Sequence, residues 1–324
     1  MKLQLLIPQY NEDNSVVKNM LDSIAIQKGI NFDDIEVLIG NDGSDIKLSE
    51  DFINSYSFSV KYFQYEHSSP AGTRQKLFEE ATADYVMFCD ADDMFMNALG
   101  LYGIFSFITK GFDALVCSFI EEAQDTKYGT YRYITHNKDD RFIHGKVYRR
   151  RHLIDNKIVW YSDIKYHEDG SYNVLALATA KVREYCNIPI YLWKWRDNSI
   201  CRSDKLYVLK TYTRMIYSNN YLVRDFLERR MLDNAKYHTG LLIYNTYYML
   251  NKPIWLDPMN SKYRYETEKC FKQYYKEHKE LFSRLSPEMR YRIISGVKRR
   301  VLDEGVLLEH FTFDEWITHI EELE

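Results

Sequence analysis

The 324 residues suffice for one large domain or two smaller ones, and a composition of 45% hydrophobic and 28% charged residues excludes a chain too polar to bury a core. A formal net charge of −4 argues against a protein built mainly to hold a nucleic-acid backbone, because that task needs an excess of Lys and Arg. Five cysteines (Cys89, Cys117, Cys186, Cys201 and Cys270) with no CxxC pair argue against a zinc site or a disulfide framework and fit a reducing, cytoplasmic compartment.

Leu3-Gln4-Leu5-Leu6-Ile7 is a short apolar run ending at Pro8. It reads as a buried strand and is too short for a signal-peptide core. Val17, Met20, Leu21 and Ile24 recur at helical spacing, with Asn14 or Ser15 expected as N-cap. Strands are expected over residues 35–40, 60–65 and 85–89, and a helix over 73–83. Strand alternating with helix implies an α/β fold with a mostly parallel, Rossmann-like central sheet flanked by helices. In such sheets ligands sit beyond the carboxyl ends of the strands. Three polar clusters fall there: Gln9-Tyr10-Asn11, Asn41-Asp42-Gly43-Ser44 and Asp90-Ala91-Asp92-Asp93.

Further along, strands are expected over 114–120, 131–135 and 188–195, and a helix over 169–180. After about residue 205 apolar spacing of three and four dominates, which predicts a helical C-terminal region. Thr312 with Glu315 has the form of a capping box for the last helix. No stretch approaches the roughly 20 apolar residues that cross a bilayer, so a soluble protein, at most peripheral at the inner membrane face, is expected.

Asp90-Ala91-Asp92-Asp93 carries the strongest chemical signal. Carboxylates crowded at a strand end repel one another, and a divalent cation relieves the repulsion. Mg²⁺ and Mn²⁺ prefer carboxylate and phosphate oxygens and can bridge protein to a nucleotide diphosphate. A solvated acidic turn is the plainer reading of a bare DxD; its place after a buried strand favours the functional one. Asn41-Asp42-Gly43-Ser44 by itself is a turn, although Asp42 is placed to accept a hydrogen bond from a base edge. Glu168-Asp169 suits a helix start, and an aspartate there is also a fixed general base. Arg149-Arg150-Arg151 reads as a solvated basic face, with an anionic acceptor as the alternative. The pairs Trp193/Trp195 and Tyr247/Tyr248 read mainly as core.

Pro8-Gln9-Tyr10-Asn11, Asn41-Asp42-Gly43-Ser44, Gly72-Thr73-Arg74 and Cys89 to Asp93 occur in the order seen in family 2 glycosyltransferases of the GT-A fold, which the sequence resembles. The resemblance extends through Gly145 to Arg150, His167-Glu168-Asp169 and Trp193 to Ile200. It implies an inverting transfer of a sugar from a nucleotide sugar, a UDP-sugar above all, to an acceptor hydroxyl of a cell-surface glycan, polymer or lipid-linked chain, with Mn²⁺ or Mg²⁺ as cofactor. It also implies roles. Asp92 is the metal ligand and Asp169 the catalytic base. Pro8, Tyr10, Asn11, Asp42, Arg74, Asp90, Ala91, Lys194, Arg196 and Ser199 bind the nucleotide sugar, the last three on a stretch that closes over the diphosphate. Asn41 departs from the family's usual first acid in its motif, and Lys194 stands where arginine is common.

The expected organisation is a nucleotide-sugar-binding and catalytic domain over 1–204 and a helical region over 205–324 for acceptor binding or oligomerisation. Two alternatives stay open. A nucleotidyltransferase needs a glycine-rich phosphate loop near the N-terminus, and residues 8–14 contain no glycine. A non-catalytic sugar- or partner-binding module has no need of Asp92, Asp169 and Arg196.

Overall fold

Leu3–Gln9 (β1) is mainly apolar and buried because it lies in the middle of a sheet, hydrogen-bonded on one side to Ile35–Asp42 (β2) and on the other to Tyr85–Phe88 (β4). Ser59–Tyr65 (β3) closes that edge beside β2. These pairings are all parallel, as the alternating pattern predicts. The structure, a computed structural model, describes residues 2–125, 128–197, 199, 204, 206–306 and 308–323. It divides into two compact units, Met1–Ser199 and Ile200–Glu324.

Beyond β4 the first unit's sheet is mixed. Lys146–Arg149 (β8) lies antiparallel between β4 and Ala114–Asp125 (β6), and Thr130–His136 (β7) forms a hairpin with β6. Arg183–Trp193 (β9) runs parallel to β6, and Met94–Phe95 (β5) pairs antiparallel with β9. The sheet order is β3-β2-β1-β4-β8-β6-β9-β5, with β7 on β6. The chain reaches β8 through a hairpin, without a helical crossover, so an antiparallel strand can enter there.

Asn14–Ala25 (α1) buries Val17, Met20, Leu21 and Ile24. Its N-cap is Asp13, one residue earlier than expected, whose carboxylate accepts from the Ser15 and Val16 amides. After the short Glu50–Ile53 (α2), Pro70–Glu80 (α3) begins three residues before the expected helix. The Ser69 hydroxyl caps it and Pro70 supplies the preset φ of a first turn. Gly100–Ile108 (α4), Arg150–Asp155 (α5) and Glu168–Thr179 (α6) complete the helices of this unit. The basic run sits at α5, where Arg149 donates to the Phe112 carbonyl, Arg151 pairs with Asp155 and His152 is buried. A structural account suffices for it.

Among its described residues the regular elements of the second unit are all helices, chiefly Tyr207–Glu228 (α7), Leu232–Leu250 (α8), Pro253–Leu256 (α9), Ser261–Glu277 (α10), Lys279–Ser283 (α11), Pro287–Leu302 (α12) and Phe313–Glu322 (α13). Its core centres on Trp316, which stacks on Phe271 at 5.0 Å and meets Tyr247 at 4.6 Å between ring centroids. The Thr312–Glu315 capping box is present at the start of α13. Among the described residues no helix is long and apolar enough to cross a membrane.

Candidate active site

The ends of β1 and β2 build one half of the site. Gly43 takes φ +72° after Asn41-Asp42, and Ser44 turns back to donate to Asn11. Asn11 itself holds φ +65°, a conformation that asparagine tolerates better than most residues. Asp42 is 3% exposed and accepts from the Ser68 amide at 2.8 Å and its hydroxyl at 3.1 Å. His67 lies 3.2 Å from the same carboxylate and stacks on Tyr10 at 4.7 Å. Tyr10 is half exposed beside Pro8, so an exposed ring and a buried carboxylate stand together at the carboxyl edge of the sheet.

The other half gathers around the acidic turn after β4. Asp93 is fully buried. Its carboxylate accepts from the Tyr191 hydroxyl at 2.9 Å and the Lys194 amide at 3.0 Å. Burial, followed by the charges of Asp92 and Asp90, pushes its pKa well above the usual carboxylate range. Ala91 is buried, whereas the Asp92 side chain is 28% exposed and lies 3.4 Å from Arg196 Nε. The same guanidinium donates to Glu12 at 3.2 Å. Burial raises the Glu12 pKa, and Asp92 adds to the effect. Thus Lys194 and Arg196, from the stretch after β9, are tied to the acidic turn, and Ser199 donates its amide to the Arg196 carbonyl. Asn198 and Ile200 of that stretch, like Cys201, lie outside the described residues.

Arg74 joins this turn to the base candidate. It sits on α3, 5% exposed, and its two terminal nitrogens donate at 2.8 Å each to Asp90 and Glu168. Burial raises the Asp90 pKa, but Arg74 and His144 outweigh it and hold the group below its ordinary value. Glu168 and Asp169 open α6, directly after His167, which takes φ +61°, a strained value for a non-glycine residue. Asp169 accepts from the Gly170 amide at 2.9 Å. Burial and then the Glu168 charge push its pKa up to about 7, against the opposing pull of Arg74.

For a divalent cation, Asp90, Asp93 and His144 offer ligand atoms within 4.8 Å of one another. Hard cations do take carboxylate oxygens, so the donor set fits. Both Asp93 oxygens already accept hydrogen bonds, and burial raises that carboxyl's proton affinity. Asp92, the expected metal ligand, is not in that cluster, and its side chain is partly exposed. The structure therefore brings together Asp90, Asp92, Arg74, Asp169, Lys194 and Arg196, with Pro8, Tyr10, Asn11 and Asp42 at the neighbouring strand ends. Sequence reasoning passed over Glu12, His144 and Tyr191 and gave no role to Asp93. Glu12 directly follows the Tyr10-Asn11 pair and His144 directly precedes Gly145, so adjacency to a motif was the available signal. Tyr191 offered none.

Residues 5–162 match the family described as Glycosyl transferase family 2. An uncharacterized glycosyltransferase of Rickettsia conorii is 35% identical over 95 residues, which are 29% of this chain and 15% of that protein. The chain thus matches only a small part of that relative's length. The uncharacterized glycosyltransferase EpsJ of Bacillus subtilis is 21% identical over 224 residues, 61% of this chain and 62% of EpsJ. The crystal structure of S. aureus TarS 1–349 in complex with UDP-GlcNAc superposes with a TM-score of 0.65 at 17% identity, covering 84% of this chain and 81% of that one. At that identity the likeness speaks for the fold. The first unit is a family 2 glycosyltransferase domain of GT-A fold.

Proposed function

We propose that this chain transfers a sugar, with inversion, from a UDP-sugar to an acceptor hydroxyl of a glycan, polymer or lipid-linked chain, with Asp169 as general base. The observation that carries the reading is the link between the helix start that holds Asp169 and the acidic turn through one buried guanidinium, with the Arg196 guanidinium at the turn's other side. Inversion needs the base on the face of the sugar opposite the leaving group. An aspartate fixed at a helix start, with its proton affinity raised, suits the removal of a hydroxyl proton as the bond to the anomeric carbon forms. Tyr10 and Asp42 are assigned to the nucleoside, and Lys194 and Arg196 to the diphosphate. Mn²⁺ or Mg²⁺ held by Asp92, with Asp90 adjacent, would neutralise charge on the departing diphosphate. The TarS complexes with UDP-GlcNAc and UDP support testing that donor first. The helical region beyond residue 204 is assigned to acceptor binding or oligomerisation.

The test is UDP release from a panel of UDP-sugars with Mn²⁺, with and without candidate acceptors. Turnover that depends on the metal and on Asp169 is expected; a chain that binds UDP but releases none from any donor refutes the assignment as an enzyme.

A further inference from the structure

We infer that Arg74 is a positioning residue: its guanidinium clamps the acidic turn after β4 to the helix start that carries Asp169, and so sets the gap in which donor and acceptor meet. The inference rests on the reading of Asp169 as the base.

Neither partner of Arg74 is local. Asp90 lies 16 residues away and Glu168 lies 94 away, yet both bonds measure 2.8 Å. The side chain is 7% exposed, which leaves it little surface to offer a nucleotide. Among the described residues its Nε has no acceptor, so the two terminal arms carry the hold. Beneath the guanidinium lies Trp160, 5.1 Å from carbon to ring centroid. That ring stacks on Tyr172 of α6 at 3.9 Å and meets Phe88 of β4 edge-on at 5.2 Å. The polar clamp and the aromatic stack therefore join the same two elements, β4 and α6. A planar fork suits two carboxylates at a fixed angle, and a lysine, a flexible point charge, reaches only one of them. Removing the cation also leaves Asp90, Glu168 and Asp169 without the charge that draws them together, and the loss of one partner of a buried pair is felt strongly.

The role differs from substrate binding in a measurable way. A positioning residue acts on the geometry of the reacting groups, so its loss lowers kcat and leaves donor affinity in place. The experiment is steady-state UDP release by the full chain from the UDP-sugar panel with Mn²⁺, alongside calorimetric binding of UDP. Arg74→Met is expected to lower kcat by roughly 10²-fold, the scale of an ångström-sized misplacement, with donor KM and UDP Kd changed by less than about threefold. Arg74→Lys is expected to recover part of kcat. Unchanged kcat in Arg74→Met overturns the inference, and so does a loss confined to KM, which would make Arg74 a donor contact. Should Arg74→Met fail to fold by circular dichroism, Glu168→Gln takes its place, because it weakens one arm and keeps the shape. A lower kcat at constant KM supports the clamp, and wild-type kcat overturns it. Absence of turnover in the parent chain refutes the transferase reading and this inference with it.

Discussion

At the scale of single residues, Asp169 carries the sharpest expectation. An aspartate exposed to water titrates near 3.9, but burial and Glu168 bring this one to about 7. A base must be ionised to accept a proton. Activity should therefore rise through pH 7, with kcat falling about tenfold per pH unit on the acid side. Stability runs the other way. A carboxyl whose folded pKa is raised favours the native state while protonated, and that contribution is lost as pH climbs from about 4 through 7. A pH–rate profile with its acid limb near pH 4 would count against Asp169. Asp169→Asn keeps the shape and removes the base, so UDP binding should persist while transfer drops by roughly 10²–10⁴-fold. Near-parental transfer would reassign the base. Glu12 and Arg74 show why such networks are hard to foresee. The residue types were visible in the sequence, but their partners lie 184 and 94 residues away.

At the scale of elements, the first half of the sheet was legible because β1, β2 and β4 are short, mainly apolar runs, broken only by Gln4 and Glu36 before their polar ends. The second half was less so. Lys146 lies within β8, fully buried and 3.5 Å from Asp139, and a lysine in a four-residue strand hides the pattern that marks burial. The helix starts were misjudged by one to three residues because Asp13 and Ser69, both outside the apolar repeat, supply the caps. The turn after β2 is where an element-level change should matter most. A Cβ on Gly43 would stand 2.6 Å from the His67 backbone nitrogen, at φ +72°. The left-handed conformation alone disfavours a side chain by roughly 1–2 kcal/mol, and a backbone atom cannot swing aside. Gly43→Ala should therefore lower stability by about 2 kcal/mol or more in urea unfolding, because strain and clash add. It should also weaken UDP binding, since Asp42 and His67 would shift together. A parental unfolding midpoint would show that the turn relaxes freely.

At the scale of the whole molecule, the near-neutral charge hides a division. Residues 1–199 hold 29 acidic and 22 basic side chains, whereas residues 200–324 hold 18 and 21. The unit assigned to an anionic diphosphate is thus the acidic one. Two unit charges about 4 Å apart interact by roughly 4 kcal/mol at an effective dielectric near 20, so a nucleotide approaching Asp90, Asp92 and Glu12 needs a counter-charge. Arg196 already lies beside two of these carboxylates, and one guanidinium cannot balance both them and a diphosphate. In the proposed mechanism a divalent cation would supply the missing charge, and its removal should be visible in the intact protein without any acceptor. A ligand at one hundred times its Kd stabilises the folded state by about 2.7 kcal/mol. UDP with Mn²⁺ should therefore raise the thermal midpoint of the transition it binds, and UDP with EDTA should leave it near that of the free protein. In Asp92→Ala the two conditions should coincide, because the cation would lose its proposed ligand while Tyr10 and Asp42, assigned to the nucleoside, remain. Equal stabilisation by UDP with and without metal in the parent chain would mean that Arg196 and Lys194 supply all the counter-charge, and the cation would leave the mechanism.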